Sequence, residues 1–318
     1  GATHPSIQTT VSVTVNPINF PPVTSTSDYI YTPGIPLIVT APGVLAADVD
    51  HDNNPLKAVL TQVPAHGQLN LNANGSFSYT PDPGFNGRDS FTYVADDGLG
   101  HRVPATVYLD TPNSRYVAAV YLDVLGREPD AGGVAYWTQL LDAGTPISAV
   151  AEAIAHSAEY YANFVIKPAY LKLLGRAADD AGVAFWTAQM QNGLTDQELE
   201  AGFVASDEFF KNAGGTNTAW VDAVYNLLLG RPADAAGESF WDAELAAGAT
   251  RSQVALGIAG SQENNTQLIN ADYFHYLGRA ADADGLAYWL QQFADGQTNE
   301  DVIAGFTGSA EYYKQHTS

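Results

Sequence analysis

The chain is 318 residues long and 46% hydrophobic, with 17 Tyr, 13 Phe and 5 Trp, so it is a folding sequence with room for two or three domains. Its formal charge is −22, from 35 acidic against 13 basic residues; that excludes a grip on nucleic acid or on an anionic bilayer as the main activity, because neutralising phosphates needs Lys and Arg. Cysteine is absent, so disulfides and thiolate metal sites are excluded and stability rests on packing or on oxygen-ligated ions.

An acid excess attracts cations and keeps a protein soluble where divalent ions are abundant. No apolar run reaches the roughly 18 residues a spanning helix needs, so no membrane insertion is expected. No signal-peptide pattern is expected at the first residues, and secretion is not judged from that end.

Up to about Asp110 the pattern has period two. Val11-Ser12-Val13-Thr14-Val15, Ser76-Phe77-Ser78-Tyr79-Thr80 and Ser90-Phe91-Thr92-Tyr93-Val94 read as strands. Turn clusters separate them, among them Asp52-Asn53-Asn54-Pro55, Pro81-Asp82-Pro83-Gly84 and Asp96-Asp97-Gly98. The spacing predicts an all-β sandwich over residues 23–110.

Within it, Asp48, Asp50 and Asp52 alternate in one loop, with Asn53 and Asn54 adjoining. Calcium takes six to eight oxygens, and alternating carboxylates in a turn can aim several at one point. The run lacks the glycine and distal Glu of an EF-hand. An ordinary solvated acidic turn explains the same residues equally well. Asp97 lies in a second acidic turn and is a further candidate ligand.

Residues 111–114 form a short junction, after which the period moves to 3.6 and an α-helical region is expected over 115–318. Four times a Gly-Arg pair is followed ten residues later by an aromatic-Trp pair, and twenty residues after that by Ser-x-Glu. The Arg/Trp/Glu sets are Arg127, Trp137 and Glu159; Arg176, Trp186 and Glu208; Arg231, Trp241 and Glu263; Arg279, Trp289 and Glu311. Internal spacings are constant while the step between copies varies from 48 to 55 residues, the mark of a repeated structural unit. The four units are 115–164, 165–215, 216–268 and 269–318.

Each first helix is expected to stop at the Gly of Gly-Arg, which takes the left-handed conformation without a Cβ clash. Asp130, Asp179, Asp234 and Asp282 then cap the next helix by accepting free backbone N–H groups. In the third copy Glu238 replaces an apolar residue on that helix. Thr195 with Glu198 and Thr250 with Gln253 are capping boxes that open a third helix, and Thr298 with Asp301 is an acidic variant.

Helical periodicity places the four Trp in the core of their units, although an indole face can also stack a sugar or anchor a partner. Arg and Glu read as an ion pair fixing helix angles, with a ligand site as the alternative. The Asp residues are explained as helix caps; calcium ligation is the second reading, and Asp284 beside Asp282 adds to it in the fourth copy.

Catalytic constellations are lacking. The seven histidines recur at no repeat position, and no Gly-x-Ser-x-Gly, phosphate-loop or dinucleotide fingerprint occurs. The chain is therefore expected not to be an enzyme.

Residues 21–110 resemble the bacterial cadherin-like, immunoglobulin-type domains of long surface proteins. The matching words are Thr40-Ala41-Pro42-Gly43-Val44-Leu45-Ala46, Asp48-Val49-Asp50-His51-Asp52, Asn74-Gly75-Ser76-Phe77-Ser78-Tyr79-Thr80-Pro81 and Asp89-Ser90-Phe91-Thr92-Tyr93. By that resemblance residues 1–22 look like the last strand of a preceding sister domain plus its linker, with Phe20 where the family has an acid. Residues 115–316 resemble the bacterial repeats known as domain-of-unknown-function family 4214, through Leu125 to Trp137, Leu174 to Trp186, Leu229 to Trp241 and Leu277 to Trp289.

The resemblances imply an excerpt of a large exported protein at the bacterial cell surface or outside the cell. Export by a type I system is implied by association with that family. The β-domain would be a stalk module with calcium as its cofactor. The repeats would bind a cell-surface glycan, such as lipopolysaccharide, or a protein. Self-association into an extracellular lattice or filament, and service as an accessory domain of a polysaccharide-acting enzyme, are the alternatives.

Overall fold

The computed structural model describes residues 18–318. Residues 1–17, which hold the strand expected at 11–15, lie outside the described residues. The chain divides into two compact units, Gly1–Thr111 and Pro112–Ser318.

The first unit is a sandwich of two sheets. One has the order β1 (Ser27–Ile30), β7 (Arg102–Asp110), β6 (Asp89–Asp96), β3 (Lys57–Gln62). The other has the order β2 (Leu37–Val39), β5 (Phe77–Pro81), β4 (Gly67–Leu71). Period-two patterning is most regular in β6, where Asp89, Phe91, Tyr93 and Ala95 are buried and the residues between them are not. β1 runs parallel to β7, whereas the other pairings are antiparallel. Tyr31, Val44, Phe77, Tyr79, Phe91, Tyr93, Val107 and Leu109 fill the space between the sheets. The buried Asp89 is satisfied on both oxygens, by the N–H groups of Ala65 and His66 and by the Tyr79 hydroxyl.

The second unit is helical. The first repeat has α1 (Pro112–Leu125), α2 (Ala131–Asp142) and α3 (Ile147–Ala155). It ends with α4 (Ala158–Tyr160), from which a π-helical stretch at Tyr161–Ile166 leads into the second repeat, with α5 (Lys167–Leu174), α6 (Asp180–Gln191), α7 (Asp196–Val204) and α8 (Asp207–Asn212). The third has α9 (Asn217–Leu228), α10 (Ala235–Ala246) and α11 (Arg251–Ala259). The fourth has α12 (Gln262–Leu277), α13 (Ala283–Ala294), α14 (Asn299–Thr307) and α15 (Ala310–Thr317).

Local chemistry sets these boundaries. Gly175 and Gly278 end their helices in the left-handed region, at φ +66° and +64°. Full capping boxes open α7, α11 and α14, including the pair Thr298 and Asp301. Glu238 does not prevent α10 from forming, because that helix buries none of its residues fully and a surface acid costs little there.

One apolar core runs through all four repeats, and the array closes on itself. The Tyr312 hydroxyl of α15 donates to Asp123 Oδ2 of α1 at 2.7 Å, and the Tyr313 hydroxyl donates to Asn113 at 2.9 Å. Gly308, at the end of α14, lies against α3 so closely that a Cβ there would sit 2.7 Å from the Ser148 Cα. An open helical array exposes an apolar face at each end. Here the last repeat covers the first.

Candidate functional site

The repeated residues build the same knot four times. It starts from a tyrosine six residues before the Arg: Tyr121, Tyr170, Tyr225 or Tyr273. The Arg guanidinium lies over that ring, 5.0 to 5.3 Å from its centroid. The same Arg grips the Glu 32 residues on through Nε and Nη2, at 2.6 and 2.7 Å in Arg127–Glu159 and at 2.7 Å twice in Arg231–Glu263. Arg176–Glu208 and Arg279–Glu311 repeat it at 3.1 to 3.4 Å. Hydrogen bonding to its partner raises Arg127 further and holds Glu159 below the usual carboxylate range.

The Asp residues cap. Asp130, Asp179, Asp234 and Asp282 each accept from the N–H three residues ahead, at 2.7 or 2.8 Å. The N–H donors belong to Gly133, Gly182, Gly237 and Gly285. At three of these glycines a Cβ would meet the tyrosine hydroxyl closer than 3.0 Å, as at Gly237, where it would be 2.7 Å from Tyr225 Oη, and at Gly133 the fit is tight at 3.1 Å. The Asp282 carboxylate also lies 3.7 Å from Arg279, and Asp284 is an exposed residue in the first turn of α13. The Ser of Ser-x-Glu caps the following helix in every copy.

Trp137, Trp186, Trp241 and Trp289 are half-buried and pack against the common core. The Trp137 and Trp241 indole N–H groups donate to the Tyr121 and Tyr225 hydroxyls at 3.1 and 3.0 Å. Trp186 and Trp289 lean on Phe203 and Phe306. In the first and third copies the knot is thus closed on itself through Trp, Tyr, Arg and Glu.

In every unit the aromatic residue before the Trp is exposed. Tyr136, Phe185, Phe240 and Tyr288 are 56%, 56%, 54% and 56% exposed. Each meets its own Trp edge-on, with ring centroids 4.7 to 5.1 Å apart, so the exposed ring is held by the half-buried one. Gln139, Gln189, Glu244 and Gln291 follow at i+3 or i+4 and share the helix face. Four aromatic rings of matching exposure are therefore presented, each on a helix that carries a Gln or Glu one turn further on. The repeat pattern marks these rings only as neighbours of the Trp and assigns them no role of their own. The missed signal is the step of about 100° that one residue makes on a helix, which turns the neighbour of a core Trp off the core stripe.

In the sandwich, the acidic residues go to separate partners. Asp48 accepts from the Ser25 N–H at 3.0 Å and from the Tyr93 hydroxyl at 2.7 Å. Asp52 accepts from the Phe20 N–H at 2.6 Å. Asp97 uses both oxygens within its own turn and with Asn19 and His101. Burial alone would raise it, but these hydrogen bonds hold it far below the usual range. Asp50 is buried; its Oδ1 accepts from the Asp52 and Asn54 N–H groups, while its Oδ2 has no partner. It opens on a hollow of about 520 Å³ shared with Asp48, Asn53 and Asn54.

Among the described residues no three carboxylates or imidazoles converge on a metal position. Nor is any helix among the described residues long and apolar enough to cross a membrane.

Comparison with known families gives two matches. A bacterial Ig domain matches residues 19–110. A domain of unknown function, DUF4214, matches four times, at residues 105–164, 162–213, 200–268 and 264–316. No curated protein matches the chain.

Proposed function

Because the chain belongs to the DUF4214 family, carried in four copies behind a bacterial Ig domain, we propose that it is a non-catalytic part of a bacterial surface protein whose helical repeats bind a cell-surface glycan. The observation that carries the reading is the fourfold exposure of Tyr136, Phe185, Phe240 and Tyr288 at nearly one value. An aromatic ring left open to water matches the apolar face of a sugar, and a neighbouring amide matches its hydroxyls. These platforms lack cations of their own, so the polysaccharide portion of a surface glycan suits them better than an anionic headgroup. A glycan is itself a repeating ligand, and four weak contacts on one rigid array add through effective concentration.

Calcium belongs to the β-domain in this reading. Asp50 Oδ2, flanked by Asn53 and Asn54, would hold it with water completing the shell. Such open sites bind in the range of about 0.1–1 mM, typical of extracellular modules.

The test is retention of the whole chain on immobilised bacterial surface polysaccharide, with millimolar calcium present. Wild type is expected to be retained. The variant with all four platform rings changed to Ser is expected to flow through with an unchanged melting temperature. Equal retention of both proteins, or of neither, contradicts the proposal. Release of reducing ends from the column would contradict its non-catalytic part.

A further inference from the structure

The helical unit contains a cluster of acids that the repeat motif does not use. Glu300, in the first turn of α14, is fully buried; no donor satisfies its carboxylate oxygens with good geometry, and Thr298 and the Asp196 carboxyl are its polar neighbours. Asp196 at the start of α7 and Asp272 of α12 face it, each with one buried oxygen also lacking a partner. These residues come from the second and fourth repeats, so the cluster lies inside the closed array.

The surroundings offer little positive charge. Tyr160 of α4, Tyr161 of the π-helical stretch and Tyr276 of α12 face the acids. His156, at the C-terminal end of α3, lies 3.3 Å from Asp301 and also faces Glu300, where a proton on its ring would oppose the effect of burial. Lys172 of α5 lies 3.7 Å from Glu200, a further acid beside Asp196. With Glu300 fully buried and Asp196 and Asp272 only partly exposed, three ionised carboxylates here would be crowded charges of one sign, an arrangement that proteins avoid by neutralising the groups.

Burial pushes Asp272 up to about 8, with the charge of Glu300 adding to the rise. Burial, and then Glu300 and Glu200, hold Asp196 well above the usual range, and burial raises Glu300 as well.

We propose that Asp196, Asp272 and Glu300 form a proton lock, in which the closed helical array keeps protons on these carboxyls and loosens as rising pH removes them. For an acid whose folded value is raised, native and unfolded chains bind protons alike below the unfolded value near 4. Between that value and the folded one the native state holds more protons, so stability falls as pH rises. The loss is complete above the folded value, which for Asp272 is about 8. This is the reverse of ordinary acid denaturation.

All five Trp lie in the helical unit, so Trp fluorescence of the whole chain reads that unit alone. The experiment is thermal and urea unfolding by this signal from pH 5 to pH 8.5 in chelator. Wild type is expected to lose stability steadily, the unfolding constant rising about tenfold per pH unit for each extra native proton. The double variant Glu300→Gln, Asp272→Asn is expected to lose most of that slope and to melt above wild type at pH 8. A variant with the wild-type slope overturns the proposal. So does loss of the slope in His156→Gln, which would assign the effect to that imidazole.

Should the double variant fail to fold, amide exchange on wild type decides. After correction for intrinsic rates, protection is expected to fall between pH 5 and pH 8 in α7, α12 and α14 first. A uniform change, or none, overturns the lock.

Discussion

Arg127 and Glu159, 32 residues apart, meet in a two-pronged ion pair of 2.6 and 2.7 Å over the face of Tyr121. The same step closes the same pair in each of the four repeats. It ties the loop after the first helix of a unit to the first turn of the helix that follows the third, and so fixes the corner of the unit.

An Arg127→Lys change keeps the charge and loses the fork. The pair is partly exposed, so solvent and salt already weaken it, and the loss is expected to be about 1 kcal/mol. In a unit of this size that is a fall of roughly 2–4 °C. A melting curve indistinguishable from wild type would mean the pair is ornamental.

Gly237→Ala tests the knot from its steric side. The new methyl would collide with the Tyr225 hydroxyl that receives the Trp241 N–H. Overpacking of this kind costs about 1–3 kcal/mol. Combining it with Tyr225→Phe, which removes the obstructing oxygen, is expected to recover part of the loss; additive losses would refute the contact.

Closure of the array rests in part on the Tyr312 hydroxyl and Asp123. Tyr312→Phe leaves the ring in place and strands a carboxylate, at an expected cost of about 1–3 kcal/mol. Urea titration followed by Trp fluorescence reads it. The effect is expected to be smaller in Asp123→Asn, which can still accept the bond, and equal effects would argue against that reading.

Calcium is expected to raise the melting temperature of the β-domain at millimolar concentration, with Asp50→Asn removing most of the gain. The readout is Tyr-sensitive near-ultraviolet dichroism of the whole chain with and without chelator. No response to calcium would mean that the Asp48–Asp52 loop is a turn held by its own backbone.

Much of this architecture is written in local pattern. The change of period near residue 112, the left-handed glycines and the capping residues are short-range signals, and a β-sandwich followed by helical repeats is what they specify. Nothing local marks the closure: Asp123 and Tyr312 lie 189 residues apart, and each reads as an ordinary helical residue. Glu300 looks like a favourable acid in a first turn, and only packing shows that it is buried. The alternating Asp48, Asp50 and Asp52 suggest one focus, but backbone N–H groups draw them to different places. The tyrosine six residues before each Arg was legible as a fixed spacing, yet its role depends on a glycine in the next helix.

The most direct test of the account removes the exposed rings one at a time. Tyr136, Phe185, Phe240 and Tyr288 are changed to Ser singly and cumulatively, and affinity for a bacterial surface polysaccharide is measured by calorimetry beside the melting temperature. The account predicts that affinity falls at every step while the melting temperature holds. A melting temperature that drops with each ring while affinity stays constant would place these residues in the framework and leave the binding surface elsewhere.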